Sequence, residues 1–357
     1  MKIGLITFHE TTNYGAILHT YALQRKIQEL GAYCEVVNYK CEEIQRRELP
    51  MQLRDVHNVR LLFKYILSRH GQRKKYSHFC KFTENKLILS QEIYTKRNIC
   101  ECEHKYDKFV VGSDIVWELN VTNGDFTYYL DFVNDNTKKY AYASSFGYAE
   151  IPKKYLSRCK ELLSQFQGIA VREQSGKRII FDLLNRVVQV VLDPTLLLHR
   201  EEWFEIISFK PQIEKYILIY FTDKDNKIMA FAERLANKTA CKIVLISSSI
   251  KNIKGVINIK NPSIDEFLGW IRYADYVITA SYHGMLFSIN FNKQFYYINR
   301  THKDRMETIA NELTLQSRDI EYCLDEEFSF INYDTVNRKL EQMRKESLMI
   351  LGEIVNK

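Results

Sequence analysis

At 357 residues, 46% hydrophobic and 27% charged with only 5 prolines, the chain has the make-up of a globular protein with more than one core, which excludes a disordered or fibrous one. A net charge of +7 is mild for this length; it favours an anionic ligand or surface and does not single out nucleic acid. Eight scattered cysteines without a Cys-x-x-Cys exclude a disulfide ladder and a zinc ribbon, and no run approaches the roughly 18 apolar residues of a membrane span, so a cytoplasmic protein is expected.

In chain order, Ile3 to Phe8 predicts a strand, Thr7 to Gly15 a polar loop, Ala16 to Leu30 a helix that ends at Gly31, and Cys34 to Tyr39 a second strand. That sequence of elements opens a doubly wound parallel sheet. The loop, His9-Glu10-Thr11-Thr12-Asn13-Tyr14-Gly15, lacks the Gly-x-Gly-x-x-Gly of nicotinamide and flavin sites. Residues 42–90 then interrupt the alternation with a basic helical segment: Arg54, Arg60, Lys64, Arg69, Arg73, Lys74, Lys75 and Lys81 stand against Asp55. Val56, Val59, Leu62, Phe63, Ile66 and Leu67 give it one apolar side. Two readings stay open, a helix packed on its own domain and a surface for anionic lipid or a lipid-linked substrate. No nucleic-acid module accompanies the charges. Cys100 and Cys102 read as a loop pair, with metal binding as the lesser alternative.

Strands resume at Lys108–Val111, Lys139–Ala143, Gly168–Val171 and Val187–Leu192, with helices near Lys154–Phe166 and up to Leu184. Asp193-Pro194-Thr195 stops the last of them. These make about six strands, enough for one sheet. His199–Pro211 is the expected domain junction. A second series follows: strands at Tyr216–Phe221, Lys242–Ser247, Val256–Ile259, Tyr276–Thr279 and Phe295–Ile298, and helices at Asn226–Asn237 and Ser263–Tyr273. Ser263 and Glu266 fit a capping box. Asp334–Val355 reads as one long charged helix.

Polar clusters fall at the carboxyl ends of these strands: Thr7 to Asn13, Ser113 and Asp114, Ser144 and Ser145, Arg172 and Glu173, Asp193, and Ser281 to His283. Two doubly wound sheets facing each other would collect them at one cleft. In Ser281-Tyr282-His283-Gly284 a histidine stands where a helix begins, either at a place that suits an anion or as a hydrogen-bonded histidine of an ordinary βα turn. Arg172 offers a bidentate fork for carboxylate or phosphate, or an ion pair with Glu173. Asp114 is a base toward a hydroxyl or a loop cap, and Asn13 a sugar contact or the holder of its own turn. Arg305 and Arg318 complete an anion pocket or merely decorate a helix.

The order and spacing of several segments resemble the polysaccharide pyruvyl transferase family. They are Ile3-Gly4-Leu5-Ile6-Thr7-Phe8 with Asn13-Tyr14-Gly15-Ala16, Val111-Gly112-Ser113-Asp114 with Val116-Trp117, Tyr129-Leu130-Asp131-Phe132, Lys139 to Gly147, Val171-Arg172-Glu173-Gln174-Ser175-Gly176, Leu192-Asp193-Pro194-Thr195, and Ser281-Tyr282-His283-Gly284. Residues 51–97 and the tail after about 325 are not covered. Ile115 departs from the glutamine the family often has there.

The resemblance implies an α/β fold of two doubly wound Rossmann-like domains facing a cleft, of the glycosyltransferase B type. It implies transfer of the pyruvyl group of phosphoenolpyruvate onto two hydroxyls of a sugar as a cyclic ketal. Phosphoenolpyruvate is then a co-substrate, and neither cofactor nor metal is expected. The expected domains are 1–205 on the acceptor side with the basic insertion at about 42–90, 206–330 on the donor side, and a helix at 331–357 packing back across them. Catalysis is expected at His283 and Arg172, donor binding at Arg172, Ser281, His283, Gly284 and Arg305, and acceptor binding at Asn13, Tyr14, Asp114 and Trp117. The acceptor is carried on a lipid or a nucleotide, with peripheral contact at the inner face of an anionic membrane as part of the lipid alternative. A nucleotide-sugar glycosyltransferase of the same fold and a non-catalytic capsule-assembly protein remain the competing readings.

Overall fold

The amino-terminal aliphatic run forms β1 (Lys2–Ile6), followed by α1 (Tyr14–Glu29) and β2 (Tyr33–Val36). The computed structural model describes residues 1–147, 150–221, 226–247, 253–299, 303–323 and 328–356. β1 is shorter than expected because the chain turns at Thr7, whose carbonyl accepts the His9 N–H at 3.0 Å. Next come α2 (Glu42–Glu48), α3 (Val59–Lys86), β3 (Lys108–Val111), β4 (Lys139–Ser144), α4 (Leu156–Ser164), β5 (Gly168–Val171), α5 (Gln174–Leu184), β6 (Gln189–Val190), α6 (Pro194–Leu197) and α7 (Arg200–Phe204). The second series is β7 (Tyr216–Tyr220), α8 (Asn226–Thr239), β8 (Lys242–Ser247), β9 (Ile257–Lys260), α9 (Ile264–Tyr273), β10 (Tyr276–Thr279), α10 (Tyr282–Asn290), β11 (Gln294–Tyr297) and α11 (Lys303–Leu313). α12 (Tyr333–Asn356) ends the described chain.

The chain divides into two units. Unit 1 holds Met1–Glu48, Thr83–Leu198 and Arg338–Lys357, and unit 2 holds Leu49–Phe82 and His199–Asn337. Unit 1 has a parallel six-stranded sheet in the order β2-β1-β3-β4-β5-β6. Its strand order reverses between β1 and β3, which places a crevice beyond Ile6 and Val111, where the polar loops begin. Aromatic side chains fill the layer beside the sheet. Phe109 meets Phe132 edge-on with 5.3 Å between ring centroids, and Trp117 packs on Phe146 at 4.9 Å; each fully buried ring contributes roughly 1.5–3 kcal/mol. The carboxyl part of α12 is fixed by polar contacts. Arg344 Nε donates to the Leu196 carbonyl at 2.8 Å, and Lys108 Nζ donates to the carbonyls of Ile354 and Val355 at 3.0 and 3.2 Å, a cation placed where the last carbonyls of a helix have no partner within the helix. β6 is cut to two residues because the Leu192 N–H turns to Ser347 Oγ of α12 at 3.0 Å.

Unit 2 has a parallel five-stranded sheet in the order β11-β10-β7-β8-β9. The order reverses between β7 and β10, so this crevice opens beyond Tyr220 and Thr279. α9 starts as its sequence requires: Ser263 Oγ accepts the Glu266 N–H at 3.1 Å, and Glu266 Oε2 accepts the Ser263 N–H at 2.6 Å. Among the described residues no helix is long and apolar enough to cross a membrane.

Candidate active-site residues in each unit

In unit 2, Thr279 ends β10 and Ser281 caps α10, so His283 lies in the first turn of a helix that starts at the strand-order reversal. Three hydrogen bonds set this turn. Thr279 Oγ1 donates to the Tyr220 carbonyl at 2.7 Å and accepts the Ser281 N–H at 3.0 Å, while Ser281 Oγ accepts the Gly284 N–H at 3.4 Å. Gly284 is fixed by space, since a Cβ there would lie 2.5 Å from Thr279 Oγ1 and 3.0 Å from the Tyr220 ring. The His283 side chain is largely buried, edge-on to Tyr282 at 5.3 Å, and the half-buried Arg305 guanidinium stands 5.4 Å from the Tyr282 ring centre. Ser281, His283 and Gly284 therefore share the start of α10, and Arg305 reaches the Tyr282 ring beside them; a helix start and a guanidinium are both places that suit an anion. Arg318 has a different task. It donates to the Ser329 carbonyl at 2.7 Å and lies over the Tyr296 ring, holding the chain after β11.

In unit 1, Ser113, Asp114, Ser144, Arg172 and Asp193 form one buried cluster at the ends of β3 to β6. Gly112 makes this possible, because a Cβ there would lie 2.0 Å from the Tyr142 carbonyl. Asp114 and Ala143 are held at φ 75° and 51°, left-handed conformations that persist where surroundings over-determine them. The Arg172 side chain is wholly buried. Its guanidinium donates to Asp193 Oδ2 at 2.8 Å and Asp114 Oδ1 at 3.2 Å, and its Nε lies 3.7 Å from Glu173 Oε2. His19 Nε2 lies 3.9 Å from Asp114 Oδ2. The fork expected to meet an external anion is turned onto carboxylates in this arrangement, three acids standing around one guanidinium. Asp193 also caps α6 by accepting the Thr195 N–H at 3.0 Å.

The residues expected at the acceptor lie as follows. Trp117 is 2% exposed, packs in the hydrophobic core of unit 1, and its indole N–H donates to the Tyr128 carbonyl at 3.0 Å. Tyr14 is buried at the start of α1. Asn13 is exposed, and its Oδ1 accepts the Gly15 N–H at 2.9 Å as the cap of α1. Cys100 is exposed while Cys102 is buried, with its thiol pushed up to about 12 by burial, so the pair presents no common face.

Sequence reasoning passed over three features. His19 carried a signal, a histidine inside the apolar run of α1. His9 is buried between the Thr7 carbonyl and the Asn38 amide oxygen, and burial, reinforced by the Lys40 ammonium, pushes it below its ordinary value of 6.5. A polar cavity of about 200 Å³ lies after β2, lined by Tyr39, Lys40, Glu43, Lys96, Asn123 and Asp125 among others.

These features define an α/β protein with two parallel sheets, each carrying polar side chains where its strand order reverses. The family described as polysaccharide pyruvyl transferase matches residues 13–302, and the chain belongs to that family of transferases of polysaccharide biosynthesis, which act on sugar acceptors. No curated protein matches it. Among solved structures, the chain is similar to a Staphylococcus aureus MnaA–UDP co-structure at 11% identity and TM-score 0.49, over 99% of this chain and 90% of the other. It is similar to UDP-GlcNAc 2-epimerase from Neisseria meningitidis bound to UDP-GlcNAc at 12% and 0.49, over 100% and 94%. For Escherichia coli heptosyltransferase WaaC with ADP-2-deoxy-2-fluoro heptose the values are 12% and 0.38, over 84% and 89%. At this distance none of their ligands carries over to this chain.

Proposed function

We propose that the protein moves the pyruvyl group of phosphoenolpyruvate onto two hydroxyls of a sugar as a cyclic ketal, in the synthesis of a bacterial exopolysaccharide, capsule or cell-wall glycan. The observation that carries this reading is the family match over residues 13–302; the His283 turn at the strand-order reversal of unit 2 supports it. Phosphoenolpyruvate gains a proton at its methylene carbon, C2 takes the first hydroxyl, phosphate leaves, and the second hydroxyl closes the ketal. The two hydroxyl protons balance the step, one ending in the new methyl group and one on phosphate. Imidazole, which titrates nearest neutral pH, suits the proton donor, and His283 takes that role. Arg305 and the start of α10 hold the donor's anionic groups.

In unit 1, Asp114 accepts an acceptor hydroxyl, and Arg172 positions Asp114 without touching the donor. The polar cavity beside Tyr39, with its carboxylates, amide and aromatic ring, suits a sugar. The scheme uses no metal or resident cofactor. The acceptor is carried on a lipid, which brings a cytoplasmic protein to the inner face of an anionic membrane. The test incubates the protein with phosphoenolpyruvate and a panel of galactose, mannose and N-acetylmannosamine acceptors. Phosphate release matched by pyruvylated product is expected; transfer from a nucleotide sugar with no use of phosphoenolpyruvate would overturn the reading.

A further inference from the structure

α3 shows one face to solvent along its first five turns, and that face has two chemistries. Val59, Leu62, Phe63, Ile66 and Leu67 are all exposed, Phe63 and Leu67 each at 62%. Continuing the same stripe at helical spacing, His70, Arg73, Lys74 and Ser77 are exposed, with Arg60 and Arg69 at its margins. The opposite side is turned inward, with Tyr65 and Phe79 buried and Gly71 so near Asn261 that a Cβ would lie 2.8 Å from its amide nitrogen. Thus the helix packs, but through Tyr65 and Phe79, while the apolar side read from the sequence remains outside. The side chains of Arg54 and Lys64 lie outside the described residues.

We propose that this face of α3 is the protein's docking surface for an anionic membrane, its apolar turns entering the headgroup boundary and its basic turns resting on lipid phosphates. This deepens the reading of a lipid-linked acceptor by naming where the membrane is met. Charge decides the occupant. No acidic residue occurs from Val59 to Thr83, whereas Arg60, Lys64, Arg69, Arg73, Lys74, Lys75 and Lys81 do. A second copy laid parallel would oppose like charges, and laid antiparallel would bury unpaired cations against apolar side chains. A nucleic acid would answer the basic turns and leave Leu62, Phe63, Ile66 and Leu67 without a partner.

The test is co-sedimentation of the full chain, without donor or acceptor, with vesicles of phosphatidylcholine plus phosphatidylglycerol and with vesicles of phosphatidylcholine alone. Binding to the anionic vesicles that weakens with salt is expected. Arg69→Gln/Arg73→Gln/Lys74→Gln should lose on the order of 100-fold in partitioning at low salt, from roughly fivefold per basic residue. Phe63→Ser/Leu67→Ser should lose roughly tenfold or more. Both variants should melt with the parent, because the altered side chains are exposed. Absence of vesicle binding by the parent, equal binding by parent and variants, or a parent dimer that Phe63→Ser/Leu67→Ser makes monomeric without any vesicle binding would each overturn the proposal. Since no substrate enters the measurement, its failure is separable from failure of the pyruvyl-transfer reading, which is judged by phosphoenolpyruvate consumption.

Discussion

Arg172 and His283 stand in unlike surroundings, the first among carboxylates and the second in the first turn of a helix. The Arg172 guanidinium is bonded to Asp193 and Asp114, and removing its charge leaves buried carboxylates unmatched, as the proposed positioning role requires. Arg172→Met should destabilise unit 1 by about 3–5 kcal/mol. Arg172→Lys, which keeps the charge and loses the fork, should bind phosphoenolpyruvate in calorimetry with affinity close to the parent's. Normal melting with loss of donor binding in Arg172→Lys would instead make it a donor ligand. His283→Gln should bind the donor with modest loss while turnover falls roughly 10²-fold. His9 adds a pH dependence: its folded pKa lies below the unfolded 6.5, so the unfolded chain binds the proton more readily and stability falls as pH drops through 6.5 toward the folded value. His9→Gln should flatten that part of the stability profile, measured by denaturant melts between pH 7 and pH 5; an unchanged slope would place the dependence elsewhere.

At the scale of elements, the strand ends were legible because β-branched runs stop abruptly at polar residues, and β3, β5, β8 and β10 have the limits their sequences imply. The Ser281-to-Gly284 turn was legible for the same reason, and its glycine has a spatial cause. Gly284→Ala gains up to about 1 kcal/mol of helix propensity. It must also displace Thr279 Oγ1, which has two hydrogen bonds, so a net loss of about 2 kcal/mol in unit 2, read as a lower denaturation midpoint, is expected. What the pattern did not reveal was partnership across the chain. Arg172 followed by Glu173 reads as a strand-end cation beside one acid, and Asp114 and Asp193 reach it from 58 and 21 residues away. Trp117 stands in a motif that says nothing of its indole N–H, which donates to the Tyr128 carbonyl inside the core. α3 misled differently: periodicity revealed an apolar side, but Tyr65 and Phe79 compete for the interior and occupy it.

For the whole molecule, alternation of strands and helices was enough to specify an α/β chain with two parallel sheets, and the order of strands then locates a crevice in each unit. The polar residues named from sequence gather at these two places, His283 with Arg305 in unit 2 and Asp114 with Arg172 in unit 1. Family membership sets the reaction class, and the fate of the donor separates pyruvyl transfer from sugar transfer. The most direct measurement runs the reaction in heavy water with phosphoenolpyruvate and the sugar panel, reading product mass and the methyl signal of the product. Protonation of the methylene carbon predicts one solvent deuterium in the new methyl group and one phosphate released for each ketal formed. A product assembled from a nucleotide sugar, with nucleoside diphosphate released and phosphoenolpyruvate untouched, would contradict it.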